Sequence, residues 1–371
     1  MESFHILNGV LTAKIIAWFC GPLGLIANIS VIKLTWKYIR PPIRVNHATH
    51  TSSRSRNLSY AFLISKKKER KLSQVASLFF FNLSLADIFS SSYITVLAIC
   101  DISFSSVHQL TWCNNSHNDC IITLNDDVLT KWSQNQLCHL LRFMAIAGCL
   151  ASACFTLAIT VDRLILLLYP LKLNRRSSFK SGLIICLSIW LLAVGWGIAT
   201  CAVAITTITT DSHTDIFHPL NQSNHFQPNW YSNLCLIDDI QNTNVAAFAV
   251  FITINIVLIY ITTLVVYIII TIRLRKARID ALTRGPITWP HYRHPNRYAE
   301  YSIISNGLIV LTNILCWIPN VFWIISFTLN SKLINIFQDH NAGTISILLF
   351  SLHGLTNPII FIILYIITRS K

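Results

Sequence analysis

Seven apolar runs constrain this chain more than any other feature in it. They occupy residues 15–35, 77–100, 137–168, 181–206, 244–272, 302–328 and 342–367. A helix needs about 20 apolar residues to cross the roughly 30 Å hydrocarbon core of a bilayer, and each run is long enough. Hydrocarbon offers no partner to a backbone N–H or C=O, so each crossing must be a helix that closes its hydrogen bonds internally. Only 12% of the 371 residues are charged, against about 25% in soluble domains. A pair of soluble domains is excluded, and so is a disordered chain, which carries few apolar residues and many charges. The fold class left is all-α, a bundle of seven membrane-spanning helices.

An odd number of crossings puts the two termini on opposite faces. Of the 29 Lys and Arg, all but Lys14, Lys131, Arg142 and Lys332 fall in or beside the first, third and fifth loops or in the tail. Lys and Arg concentrate on the cytoplasmic side. The N-terminus is therefore expected outside and the C-terminus in the cytoplasm, in a multi-pass protein of the plasma membrane. A net charge of +14 would point to nucleic acid in a soluble protein. Here it reports orientation, and the expected partner is the lipid bilayer, not nucleic acid. The outer side is acidic, with Asp101, Asp119, Asp126, Asp127, Asp238 and Asp239 among its carboxylates. A solvated surface is the expected role of that rim, with attraction of a cationic ligand as the functional alternative.

The expected organisation is a short outer tail at 1–14, the spanning domain at 15–367 and a short cytoplasmic tail at 368–371. Residues 1–14 lack a basic n-region, so no cleaved signal peptide is expected. Four loops are long, at 33–76, 101–136, 207–243 and 273–301. Pro41-Pro42 and the His, Ser and Arg mixture after it read as flexible linker.

Of the eleven cysteines, Cys100, Cys113, Cys120, Cys138 and Cys235 lie at or beyond the outer edge, where disulfides persist. A Cys138–Cys235 bridge would pin the loop between the fourth and fifth spans over the bundle, and would contribute about 2–4 kcal/mol. Cys113 and Cys120 are candidates for a second, small ring, leaving Cys100 over. Asn114-Asn115-Ser116 and Asn221-Gln222-Ser223 are glycosylation sequons on the outer side. Asn57-Leu58-Ser59 is the same signal on the inner side, where it should stay unmodified.

Ionisable residues in mid-span cost about 2.5–3.5 kcal/mol on insertion scales and mark functional sites by default. Asp87 is such a residue. Asn28, Ser152, His353 and Asn357 lie at similar depth in other spans, and are the partners a buried carboxyl needs. Asp162-Arg163 ends the third span, where an ordinary interfacial charge pair is the alternative to a functional role.

The motifs follow one another in a fixed order. Asn28 lies in the first run, Leu85-Ala86-Asp87 in the second, and Cys138 and Asp162-Arg163-Leu164 in the third. Trp190 follows in the fourth, Tyr267 in the fifth, Cys316-Trp317-Ile318-Pro319 in the sixth and Asn357-Pro358-Ile359-Ile360-Phe361 in the seventh. This series resembles the rhodopsin-like class of G-protein-coupled receptors over all seven spans. The resemblance implies a receptor, not an enzyme, that passes an extracellular ligand signal to heterotrimeric G proteins by outward movement of helix 6. It makes Cys138 the disulfide cysteine of helix 3. It also makes Asp162, Arg163, Tyr267, Trp317, Pro319, Asn357, Pro358 and Phe361 the switch residues. Arg163 would be held by Asp162 in the closed bundle and, once released, meet a G-protein helix terminus, whose carbonyls carry partial negative charge. Pro319 removes a backbone hydrogen bond and makes a hinge, with Trp317 placed where a ligand can bias it.

Departures from the pattern carry their own expectations. Phe361 stands for the motif's tyrosine, and Leu164 for the one after Arg163, so two hydroxyls are missing. No cofactor is required. The family's allosteric sodium ion would use Asp87, Ser152 and Asn357, but His353 replaces a usual asparagine and argues against it. Ile259 replaces the helix 5 proline and Asn313 a helix 6 phenylalanine. That pair is similar to the transmembrane part of receptors with leucine-rich-repeat ectodomains, a link that the short outer tail opposes. The short inner tail argues against an arrestin partner.

The resemblance also locates a ligand pocket. From the third span it takes Arg142, Ala145, Ile146 and Cys149, and from the fifth Phe251 and Asn255. Trp317, Asn320 and Ile324 come from the sixth, and Ile347 and Ser351 from the seventh. Ala145 offers no counter-ion to a monoamine, and Ser351 cannot link retinal. Arg142 either pairs an anionic ligand group or, as expected, snorkels towards the interface. Long outer loops and acidic residues favour a basic peptide ligand, with a small apolar ligand still open. Other functions stay in view. One is a non-signalling scavenger or dimer partner, which Leu164 and Phe361 would suit. Another is a transporter, against which stands the lack of repeated halves.

Overall fold

The computed structural model describes residues 7, 11–39, 56–111, 132, 135–169, 178–214, 234–236, 243–283, 297–328, 344–345, 348–349 and 352–369. Seven long helices lie among them: α1 (Leu11–Ile39), α2 (Arg56–Thr111), α3 (Gln136–Leu168), α4 (Phe179–Thr214), α5 (Thr243–Thr283), α6 (Arg297–Thr328) and α7 (His353–Arg369). Five contain stretches long and apolar enough to cross a membrane, and α6 and α7 add shorter apolar stretches, Asn306–Phe322 and His353–Ile367. The helices close into a ring in which α1 packs on α2 and α7, α5 on α6, and α6 on α7. The third helix meets α2, α4, α5 and α6 and is buried from Cys138 to Asp162. It is the axis of the bundle.

The first helix turns large side chains outward and small ones inward. Ala17, Gly21, Gly24, Asn28, Val31 and Thr35 recur every three or four residues on the buried face of α1. Trp18, Phe19, Leu23 and Ile26 are exposed on its other face. Water would not tolerate such a surface. In lipid, large apolar side chains meet acyl chains at no cost, while small ones let backbones approach. One close approach joins α1, α2 and α7. A Cβ on Gly354 would lie 2.8 Å from Ser91 Oγ and 3.1 Å from the Asp87 carbonyl oxygen, so only glycine fits there.

Local signals set several helix ends. Asn135 caps α3, its Oδ1 accepting from Leu137 N at 2.9 Å. Tyr169 closes α3 just before Pro170, whose ring disfavours a helical residue ahead of it. Ser178 precedes α4 and its Oγ accepts from Ser181 N at 3.1 Å. Elsewhere the helices outrun the apolar runs. The second begins at Arg56, well before residue 77, so the linker expected over 33–76 is helical from 56 onward. The same holds for α4 to Thr214, and for α5 to Thr283 with α6 from Arg297. Hydropathy marks the membrane's thickness. Extending a formed helix adds one hydrogen bond per residue, and Lys, Arg, Glu and Leu are good helix formers in water.

Candidate functional site

The centre of the bundle is polar. Asp87 of α2 is fully buried, with one carboxylate oxygen accepting from Ser152 Oγ of α3 at 2.7 Å and the other from Asn357 Nδ2 of α7 at 3.0 Å. His353 Nε2 lies 3.7 Å from Asp87 Oδ1 and 3.4 Å from Ser90 Oγ. Four of the five residues expected at this depth therefore meet. Asn28 goes elsewhere: its amide donates to the Gly354 carbonyl at 2.6 Å and to Gly24 at 2.9 Å, tying α1 to α7 through backbone. His353 fills the flank of the Asp87 carboxylate with nitrogen, where a hard cation wants oxygen ligands.

Pro319 lies inside α6. Trp317 is buried two residues ahead of Pro319, which cannot donate to the helix. Its ring packs on Tyr260 of α5 at a centroid distance of 5.9 Å. Outside these two rings an apolar cavity of about 300 Å³ runs between α5 and α6, lined by Val257, Leu264, Ile314, Val321 and Phe322 among others. Further along, Tyr267 covers Gly307 so closely that a Cβ there would overlap its hydroxyl. At the far end of α3, Asp162 is buried and Arg163 half-buried. Phe361 of α7 packs on Phe80 at 4.9 Å and on Tyr365 at 6.5 Å.

The opposite end of the bundle carries a disulfide. Cys138, in the first turn of α3, is bonded to Cys235, with Cα atoms 5.2 Å apart. Cys235 adopts a φ of 55°, and its neighbour Leu234 is fully buried. Tyr93 Oη of α2 donates to the Leu234 carbonyl at 2.8 Å, so the segment is pinned by covalent bond and hydrogen bond together. Cys100 keeps a free, buried thiol. Arg142 does not snorkel. It is fully buried, its Nη1 donating to His139 Nδ1 at 3.1 Å. Asp101 is no part of a solvated rim either. It is buried, 3.3 Å from Lys14 Nζ, and accepts from Leu7 N at 3.0 Å.

The expected pocket assembles only in part. Ala145, Cys149 and Trp317 are buried at the bundle interior and Asn320 is half-buried. Phe251 is not in it: 52% exposed, it stacks on Trp196 of α4 at 5.4 Å. Asn255 is half-buried beside that face, its amide turned back to the Phe251 carbonyl at 2.7 Å. The buried face of α5 runs through Thr253, Ile256 and Tyr260 instead, a rotation that an almost uniformly apolar run does not encode. The side chains of Ile324, Ile347 and Ser351, and Cys113, Cys120, Asn114 and Asn221, lie outside the described residues. Sequence reasoning missed Asn306, Thr156 and Thr160, which meet between α3 and α6. The signal was there: Thr156 and Thr160 are four apart, and Asn306 and Asn313 seven apart, so each pair shares one helix face.

Two comparisons place this geometry among known proteins. The family described as "7 transmembrane receptor (rhodopsin family)" matches residues 60–361. Squid rhodopsin superimposes with a TM-score of 0.59 at 14% identity, over 100% of this chain and 85% of that one; at that identity the likeness shows the fold alone. No curated protein sequence matches the chain.

Proposed function

Because the chain belongs to the rhodopsin family of seven-transmembrane receptors, we propose that it carries an extracellular ligand signal to heterotrimeric G proteins. Members of this family are multi-pass membrane receptors rather than enzymes, and their partners are an extracellular ligand and a G protein. In the proposed mechanism α6 swings outward about Pro319, with the N-terminus outside and Arg163 facing the cytoplasm at the plasma membrane. One observation carries the reading. Arg163 sits half-buried at the end of α3 beside buried Asp162, a fixed cation poised at the mouth that an outward swing of α6 would widen. Ligand binding would shift a two-state equilibrium by its differential affinity for the two arrangements.

The ligand we favour is a basic peptide, on the strength of the long acidic outer loops. A small apolar ligand is the second reading, supported by the apolar cavity beside Trp317, whose volume lies at the lower end for small-molecule sites. The decisive experiment measures GTP exchange on purified G proteins by receptor in lipid nanodiscs, screened against a peptide library. Arg163→Ala, expressed at the wild-type level, should lose exchange. A variant that couples as well as wild type to every Gα class would rule the mechanism out.

A further inference from the structure

Two side-chain hydrogen bonds cross from α6 to α3. Asn306 Nδ2 donates to Thr160 Oγ1 at 3.1 Å, and Asn313 Nδ2 to Thr156 Oγ1 at 3.2 Å. All four residues are almost wholly buried. Each threonine spends its own proton on the carbonyl one turn back, Thr156 on Ser152 at 2.9 Å and Thr160 on Thr156 at 2.7 Å. Both hydroxyls can therefore face α6 only as acceptors. The buried face of α6 reads Asn306, Ile309, Val310, Asn313, Trp317, so two amides stand among apolar packing residues. The amide oxygens of Asn306 and Asn313 have no hydrogen-bond partner among the described residues.

Such a seam is half satisfied. Two donated bonds hold α6 against α3, while two desolvated acceptors penalise the same arrangement. Outward movement of α6 would break the first pair and let water reach the second. The two effects oppose each other, which leaves the closed state only shallowly preferred.

We infer that Thr156, Thr160, Asn306 and Asn313 form a polar latch that sets the closed-to-open equilibrium of α6 and leaves the receptor with ligand-independent activity. The inference rests on the proposed outward movement of α6 and names the residues that control it. Thr156→Val keeps the shape but strands the Asn313 amide in the closed state, and Thr160→Val does the same to Asn306. Each should shift the equilibrium towards open by about tenfold. The double variants Thr156→Val with Asn313→Leu, and Thr160→Val with Asn306→Leu, remove both polar partners, which is close to neutral. They should return the equilibrium to the wild-type value or below.

Two readouts test this on the monodisperse fraction of full-length receptor in nanodiscs. One is basal GTP exchange; the other is the distance between genetically encoded spin labels at Leu168 and Ile304, near the same ends of α3 and α6. Longer distances and higher exchange in the single variants, reversed in the doubles, are the expected result. Unchanged distances in the single variants, or doubles that open further than the singles, would overturn the latch. If the distances respond but neither wild type nor any variant drives exchange, the latch stands as a control on α6, while its ligand-independent activity and the coupling reading both fall.

Discussion

Ser152 of α3 donates a 2.7 Å hydrogen bond to Asp87 of α2, and both side chains are fully buried. With Asn357 donating to the second carboxylate oxygen at 3.0 Å, one carboxylate joins three helices. Asp87→Ala would leave two buried donors unmet, at about 1–3 kcal/mol each. The thermal unfolding midpoint of the purified protein should fall clearly, with Asp87→Asn between Ala and wild type. A midpoint that does not move would mean that the carboxylate does not hold the helices together.

Phe361 sits against Phe80 and Tyr365, half-buried, where the family motif has a tyrosine. Phe361→Tyr adds one hydroxyl to a ring that already fits. Agonist-free or agonist-driven GTP exchange should rise several-fold at unchanged surface expression. Exchange at the wild-type level would show that the missing hydroxyl is not what limits coupling.

The Cys138–Cys235 bond ties the Leu234–Cys235 segment to the first turn of α3. Cys138→Ser should lower stability by about 2–4 kcal/mol, and Cys235→Ser should do the same. The double variant should add little to either single one, since one bond is lost in all three. Non-reducing peptide mapping should recover the two cysteines in one linked fragment, and separate fragments would contradict the pairing.

Glycosylation reads the orientation. Asn114 and Asn221 should carry sugar that a glycosidase removes with a mobility shift, and Asn57 should carry none. Replacing Asn114 and Asn221 together with Gln should abolish the shift. Sugar at Asn57 would invert the bundle.

Much of the site was legible because its residues violate their surroundings. A carboxylate in hydrocarbon must find partners, so Asp87, Ser152, His353 and Asn357 stood out before any helix was packed, and they meet. Asn306 broke the same rule in the sixth run and was passed over, since no motif drew attention to it. Arg142 was misjudged because its burial comes from how α3 packs in the bundle, which the sequence of α3 alone does not show. Phe251 and Asn255 were placed by resemblance alone, and the actual rotation of α5 turns them away.

Chain order and chemistry alone settle how many apolar helices form and what family motifs they bear, because these depend on the content of each segment. Packing decides how each helix is turned about its axis and which polar atoms therefore touch. One residue of register is about 100° of rotation. In lipid a run is apolar all the way round, so it carries almost no record of which face looks inward. Only contact between helices, small faces pressed together and donors brought to acceptors, supplies that information.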